Sequence, residues 1–186
     1  MCCLGRPDMI SQPLLHKMKI LVVDDDRMTV MLLEQLLQRH GYCRVLGITD
    51  SRNALDTCTN FDPDLILLDL MMPEVDGFAV LEALRSDASE TFLPIVVLTA
   101  DITEEAKARA LEAGATDFLV KPVSQTEALL RIRNLLETRR LHLVLENQRA
   151  ALEEAVRERT TELRGTIAEL QAVNQHLQTS SAFSGA

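Results

Sequence analysis

Five side chains able to do chemistry stand at the ends of short apolar runs. Asp24 and Asp25 follow Ile20-Leu21-Val22-Val23, and Asp69 closes Leu65-Ile66-Leu67-Leu68. Thr99 closes Ile95-Val96-Val97-Leu98, and Lys121 follows Phe118-Leu119-Val120. A carboxylate carried on a rigid strand tip is a candidate nucleophile or metal ligand. Three carboxylates brought together repel and raise one another's pKa unless they share a cation, so a hard divalent ion is implied. Mg²⁺ takes an octahedron of oxygens and keeps some of its water. One or two of the carboxylates, a backbone carbonyl near Met71 and the phosphate oxygens of a substrate would supply that set. Aspartate can then attack phosphorus, provided cations neutralise the charge spreading over the phosphoryl oxygens. Lys121 and the ion are suited to that, and the Thr99 hydroxyl can turn toward a phosphoryl oxygen.

The elements that must position these groups follow from periodicity. The run from Leu65 is near-continuously apolar and far too short for a membrane span of ~20 residues, which is the pattern of a strand covered on both faces. Pro73 denies it a further ladder donor, and Asp76-Gly77 supplies turn chemistry. Lys19 to Val23, Val45 to Ile48, Pro94 to Ala100 and Asp117 to Val120 read as further strands. Between them, Met28, Met31, Leu32, Gln35, Leu36 and Arg39 recur at helical spacing toward His40-Gly41. Ser51 reads as the N-cap of a helix ending near Asn60. Phe78, Val80, Leu81 and Leu84 form a third helical face, and Thr103-Glu104-Glu105 opens a fourth helix. Strands alternating with helices through short connections require a five-stranded doubly wound parallel sheet, α/β in class, with right-handed crossovers. Ligands of such sheets bind beyond the carboxyl ends of the strands, where all five groups would converge.

Val-Val-Asp-Asp, Leu-Leu-Asp-Leu-Met-Met-Pro with Asp-Gly, Val-Leu-Thr-Ala and Val-Lys-Pro occur in the order and spacing of the response-regulator receiver family, which the chain resembles from about Lys19 to the helix after Pro122. The resemblance implies the flavodoxin-like receiver fold of bacterial two-component signalling. It implies that Asp69 is the phosphoacceptor, serving a sensor histidine kinase or phosphotransfer protein. Asp24, Asp25, Asp69 and the Met71 carbonyl would hold Mg²⁺. Thr99 would be the switch hydroxyl, Lys121 the phosphoryl-binding cation, Phe118 the aromatic switch residue, and Lys121-Pro122 a cis peptide. Such a domain is a phosphoacceptor and not an enzyme acting on other substrates. Asp26 is expected to be a solvated acid beside the pocket.

From Ser124 to the Ser/Gly-rich end the chain lacks proline and holds one internal glycine, Gly165, which predicts one long helix. Leu163, Ile167, Leu170, Asn174 and Leu177 alternate spacings of four and three, the seam of a coiled coil, with Asn174 at a core position able to fix register. Spacings of eleven from Leu141 to Leu152 and from Leu152 to Leu163 place a stutter near Val156 to Thr160. The run Leu152 to Thr160 resembles the signalling helices that join receiver domains to output enzymes. A parallel homodimer through this helix is expected. The division is 1–17 an N-terminal arm, 18–138 a receiver domain, 139–179 a coiled-coil helix and 180–186 a flexible C-terminus.

A chain of 186 residues with 47% hydrophobic content can furnish a sizeable core, and a net charge of −9 opposes nucleic-acid backbones. No run reaches membrane length, and the four cysteines show no metal-type spacing, so a cytoplasmic protein without membrane or nucleic-acid contact is expected. Two rivals differ in class. A phosphatase with an aspartate nucleophile wants a second acid two positions on, where Met71 stands. A regulatory fragment of a larger cyclase, phosphodiesterase or kinase would share every motif.

Overall fold

In a computed structural model of the chain, residues 15–73, 75–86, 92–101 and 103–183 are described, with the backbone alone for 172–183. The first fourteen residues, which include Cys2 and Cys3 and most of the expected arm, lie outside this range, as do the side chains of Asn174 and Leu177 and the last three residues. The elements are β1 (Lys19–Val23), α1 (Arg27–Arg39), β2 (Arg44–Ile48), α2 (Ala54–Phe61), β3 (Leu65–Asp69), α3 (Gly77–Ser86), β4 (Ile95–Thr99), α4 (Glu104–Glu112), β5 (Asp117–Val120) and α5 (Gln125–Phe183). Backbone contacts divide the chain into two units at the His142/Leu143 boundary.

All five strands are parallel, in the order β2-β1-β3-β4-β5. The central β3 and β4 are buried at every position, as their unbroken apolar sequences require. Burying each such side chain contributes roughly 1.5–3 kcal/mol, so these strands anchor the sheet and fix the height of the residues at their tips. On one face Leu21, Ile66, Leu68, Val80, Leu81, Val97 and their neighbours form a continuous core. Arg85 reaches from α3 to donate to the carbonyls of Gly114 (2.7 Å) and Leu93 (2.8 Å), tying the entries of β4 and β5 together.

The structure selects one face of α1 and corrects one sequence expectation, the cap at Ser51. The buried face of α1 is Val30, Leu33, Leu36 and Leu37, whereas Met28, Met31 and Leu32 are exposed. Both sets recur at three and four, so spacing alone cannot choose between them; packing against β1 and β2 does. Gly47 on β2 lets α1 approach, since a Cβ there would stand 2.2 Å from Val30 Cγ1. Ser51 is not a helix cap: Asp50 caps a single 3₁₀ turn, Ser51–Asn53, and α2 begins after it.

α5 begins on the sheet through Ala128, Ile132 and Leu136, spaced four apart and fully buried. Arg139, one turn on, is buried as well; its Nη1 donates to the Phe92 carbonyl at 2.8 Å and its Nε lies 3.8 Å from Asp64 Oδ1. His142 stacks on Phe92 with ring centroids 4.7 Å apart. In the second unit Leu145, Leu152, Val156, Leu163, Ile167 and Leu170 are all more than half exposed. No helix among the described residues is long and apolar enough to cross a membrane.

Candidate functional site

β1, β3, β4 and β5 deliver Asp24 and Asp25, Asp69, Thr99 and Lys121 to one end of the sheet. Pairing of Val23 with Leu68 sets Asp24 beside Asp69. Asp24 is 0% and Asp69 2% exposed, while Asp25 is exposed. Lys121 Nζ lies 2.8 Å from Asp24 Oδ2 and 2.8 Å from Asp69 Oδ2, bridging the two buried acids. Oxygens of Asp24, Asp25 and Asp69 all come within 4.8 Å of one another.

The remaining lone pairs are arranged by the backbone. Asp24 Oδ1 accepts from the Asp26 N–H at 3.0 Å and Asp69 Oδ1 from the Met71 N–H at 3.2 Å. Asp24 Oδ2 meets Lys121 as an ion contact without an aligned hydrogen bond. Burial pushes the Asp24 carboxyl up, against the opposing pull of Lys121 and the Asp26 N–H. Burial alone would lower the Lys121 ammonium, yet its contacts with the Asp24 and Asp69 carboxylates hold it above its ordinary value. A site with three acids and one ammonium still carries excess negative charge, and a buried carboxylate oxygen lacking an aligned donor is suited to a hard cation. The residues present therefore fit Mg²⁺.

Gly77 keeps this arrangement tight. A Cβ at its position would stand 2.2 Å from the Asp69 carbonyl oxygen, and its N–H donates to the Leu70 carbonyl at 3.2 Å. α3 thus starts directly against the backbone that carries Asp69.

Thr99 stands at the tip of β4, where its hydroxyl donates to the Asp101 carbonyl (3.3 Å) and accepts from the Asp101 N–H (3.1 Å). Phe118 is set apart from the acids. It pairs with Val97 in the sheet and is half-buried, with Lys107 Nζ 5.4 Å and Arg131 Cζ 5.8 Å from its ring centroid. Arg131 itself clasps Asp117 at 2.6 Å. The Lys121-Pro122 peptide is cis. Met71 contributes its backbone to the site while its side chain is 72% exposed.

Asp26 is exposed, as expected, but it also caps α1: its carboxylate accepts from the N–H groups of Met28 and Thr29 and from the Thr29 hydroxyl. The signal was present, since an aspartate just before a helical pattern is a preferred N-cap.

Comparison with known proteins now decides the family. The sequence model described as "Response regulator receiver domain" matches residues 20–133. The chain belongs to the response regulator receiver family. It is 44% identical over 118 residues to the response regulator MprA of Mycolicibacterium vanbaalenii, covering 63% of this chain and 50% of that protein. It is 42% identical over 118 residues to the alkaline phosphatase synthesis transcriptional regulatory protein PhoP of Bacillus subtilis, covering 63% and 48%. The chain thus spans about half the length of the curated relatives it matches. Among solved structures, a putative response regulator from Chloroflexus aurantiacus is similar with a TM-score of 0.60 and 34% identity, covering 65% of this chain and 98% of that one. A putative two-component system response regulator/GGDEF domain protein is similar with a TM-score of 0.64 and 31% identity, covering 69% and 53%. The chain is a two-component response regulator receiver domain with a long C-terminal helix.

Proposed function

We propose that this receiver domain takes a phosphoryl group onto Asp69 from a sensor histidine kinase or phosphotransfer protein in the cytoplasm, and passes the change to a homodimeric C-terminal helix. The observation that carries the reading is the double bridge of Lys121 to Asp24 and Asp69 beside a third carboxylate. In the proposed reaction an Asp69 oxygen attacks phosphorus as the bond from phosphorus to the donor breaks, and the donor leaves with the electron pair. Lys121 holds the side chain of Asp69 at the start and meets the charge on the phosphoryl oxygens as it develops. Asp24, Asp25, Asp69 and the Met71 carbonyl would hold Mg²⁺, which supplies charge neutralisation when bound. Burial of Asp24 and Asp69 excludes water from the attacking face and strengthens each of these interactions.

Thr99 gives up its two bonds to Asp101 when its hydroxyl turns to a phosphoryl oxygen, and that frees the loop leading into α4. Phe118, between Lys107 of α4 and Arg131 of α5, is placed to feel this change. We assign residues 18–138 to the receiver, 139–179 to a dimerising signalling helix, 1–17 to an arm and 180–186 to a flexible end. The receiver itself turns over no external substrate. The exposed apolar series from Leu145 to Leu170 supports a second copy as the partner of the helix, because an amphipathic helix with an uncovered apolar stripe gains by burying it.

Incubation with acetyl phosphate and Mg²⁺, followed by intact mass measurement, tests the chemistry. One phosphoryl group is expected, absent with a chelator and absent in Asp69→Asn. No added mass, or addition that survives Asp69→Asn, would overturn the assignment.

A further inference from the structure

At the far end of α1, about 20 Å from its Asp26 cap by helical rise, lies a second concavity unconnected with the acidic site. It is a groove of about 290 Å³ between the last turn of α1, the entry to β2 and the first turns of α5, at the lower end of the ~300–1,000 Å³ of small-molecule clefts. Its construction is specific. Gly41 has φ +92, and a Cβ there would fall 2.9 Å from the His16 imidazole, so the glycine lets that ring lie against the chain. The His16 carbonyl accepts from the Cys43 N–H at 3.1 Å, and its ring meets Tyr42 edge-on with centroids 5.5 Å apart.

Tyr42 is 5% exposed, and its hydroxyl has no hydrogen-bond partner among the described residues. The ring is covered, while the hydroxyl is not among the buried unpartnered polar atoms and opens into the groove. Arg133, on α5, lines the same groove close enough to act electrostatically on that phenol, and forms no ion pair among the described residues. His40 Nδ1 lies 2.8 Å from the Leu36 carbonyl, which can only accept, so the proton is on Nδ1 and Nε2 is left for the groove. Leu129 and Leu130 make the opposite wall apolar. In a chain of net charge −9, Arg133 and the Tyr42 hydroxyl set a cation and a donor over an apolar floor.

We propose that this groove binds a small organic carboxylate with an apolar body. The carboxylate would take the Arg133 guanidinium and the Tyr42 hydroxyl, and the body would lie along Leu129 and Leu130. The guanidinium is a permanent, planar donor suited to a carboxylate, and the neutral hydroxyl completes the set without adding charge. An occupant would join α1 to α5, the helix that continues into the second unit, and so act on that helix by a route separate from Asp69.

The chain has one tyrosine and no tryptophan, so its intrinsic fluorescence reports this groove alone. The test titrates the full chain with sodium hexanoate, with hexan-1-ol and sodium chloride as controls, and repeats the titration on Arg133→Gln. A saturable change in Tyr42 emission is expected with hexanoate, with at least tenfold weaker binding of hexan-1-ol and at least tenfold weaker binding of hexanoate by Arg133→Gln. Arg133 is exposed, so the variant should keep its far-UV circular dichroism and its phosphorylation by acetyl phosphate. No saturable change, equal binding of the alcohol, or equal binding by Arg133→Gln would overturn the proposal.

Discussion

Lys121 Nζ and Asp69 Oδ2 stand 2.8 Å apart, and the same ammonium is 2.8 Å from Asp24 Oδ2. One cation therefore restrains both the proposed nucleophile and a proposed metal ligand. Removing it leaves the acids in place but takes away a preorganised positive charge where phosphoryl charge develops. Lys121→Met should slow phosphorylation by acetyl phosphate ~10²-fold while the sheet remains folded, as quench-flow or mass measurement against far-UV circular dichroism would show. An unchanged rate would remove Lys121 from the chemistry.

Acid stability should depend on Asp50. Its carboxylate accepts from the Arg52 side chain at 2.9 Å (Nε and Nη2), from the Arg52 N–H at 3.0 Å and from Asn53 Nδ2 at 3.2 Å. The Arg52 side chain, first among these, holds the carboxyl below its ordinary value. A folded-state value below the unfolded one makes the proton bind more readily to the unfolded chain. The stability Asp50 contributes is thus full above the unfolded value near ~3.9 and is lost as pH falls through the lower folded value. Urea midpoints from pH 6 to pH 3 should fall less steeply for Asp50→Asn than for wild type; identical slopes would contradict this.

Arg139 should matter more than a helix arginine usually does. It is 7% exposed, its Nε makes no hydrogen bond but lies 3.8 Å from Asp64 Oδ1, and it holds the Phe92 carbonyl from α5. Arg139→Ala leaves that carbonyl and Asp64 without their cation and opens space beside Leu136. A loss of about 2–4 kcal/mol is expected. Arg139→Met keeps the stem and should recover part of it, as chemical denaturation of the two variants would measure.

The sheet was legible because β3 and β4 are apolar at every position, and the site was legible because its residues sit at strand tips in a fixed order. The face of α1 was not. Met28, Met31 and Leu32 obey the same period as Val30, Leu33 and Leu37, and only the approach of the helix to Gly47 decides which set is buried. Asp50 was overlooked in favour of Ser51, since either can cap and the choice depends on where the chain turns. Arg139 and the groove around Tyr42 gave no local signal at all, because their partners Phe92, Asp64 and Arg133 are distant in sequence.

The C-terminal helix carries a fourth prediction. Leu163, Ile167 and Leu170 are 60%, 53% and 63% exposed in the single chain, and a partner helix would cover them. Leu163→Asp with Ile167→Asp should convert a dimer to a monomer in sedimentation equilibrium while leaving acetyl-phosphate labelling intact. A monomeric wild type would exclude the homodimer.

The central claim is that phosphorus bonds covalently to one carboxylate, that of Asp69. Borohydride reduction of the acetyl-phosphate-treated protein, followed by peptide mapping, converts an aspartyl phosphate to homoserine and reads its position. The account predicts homoserine at position 69 and nowhere else, dependent on Mg²⁺; homoserine at position 24 or 25, or none in a sample that has gained phosphoryl mass, would contradict it.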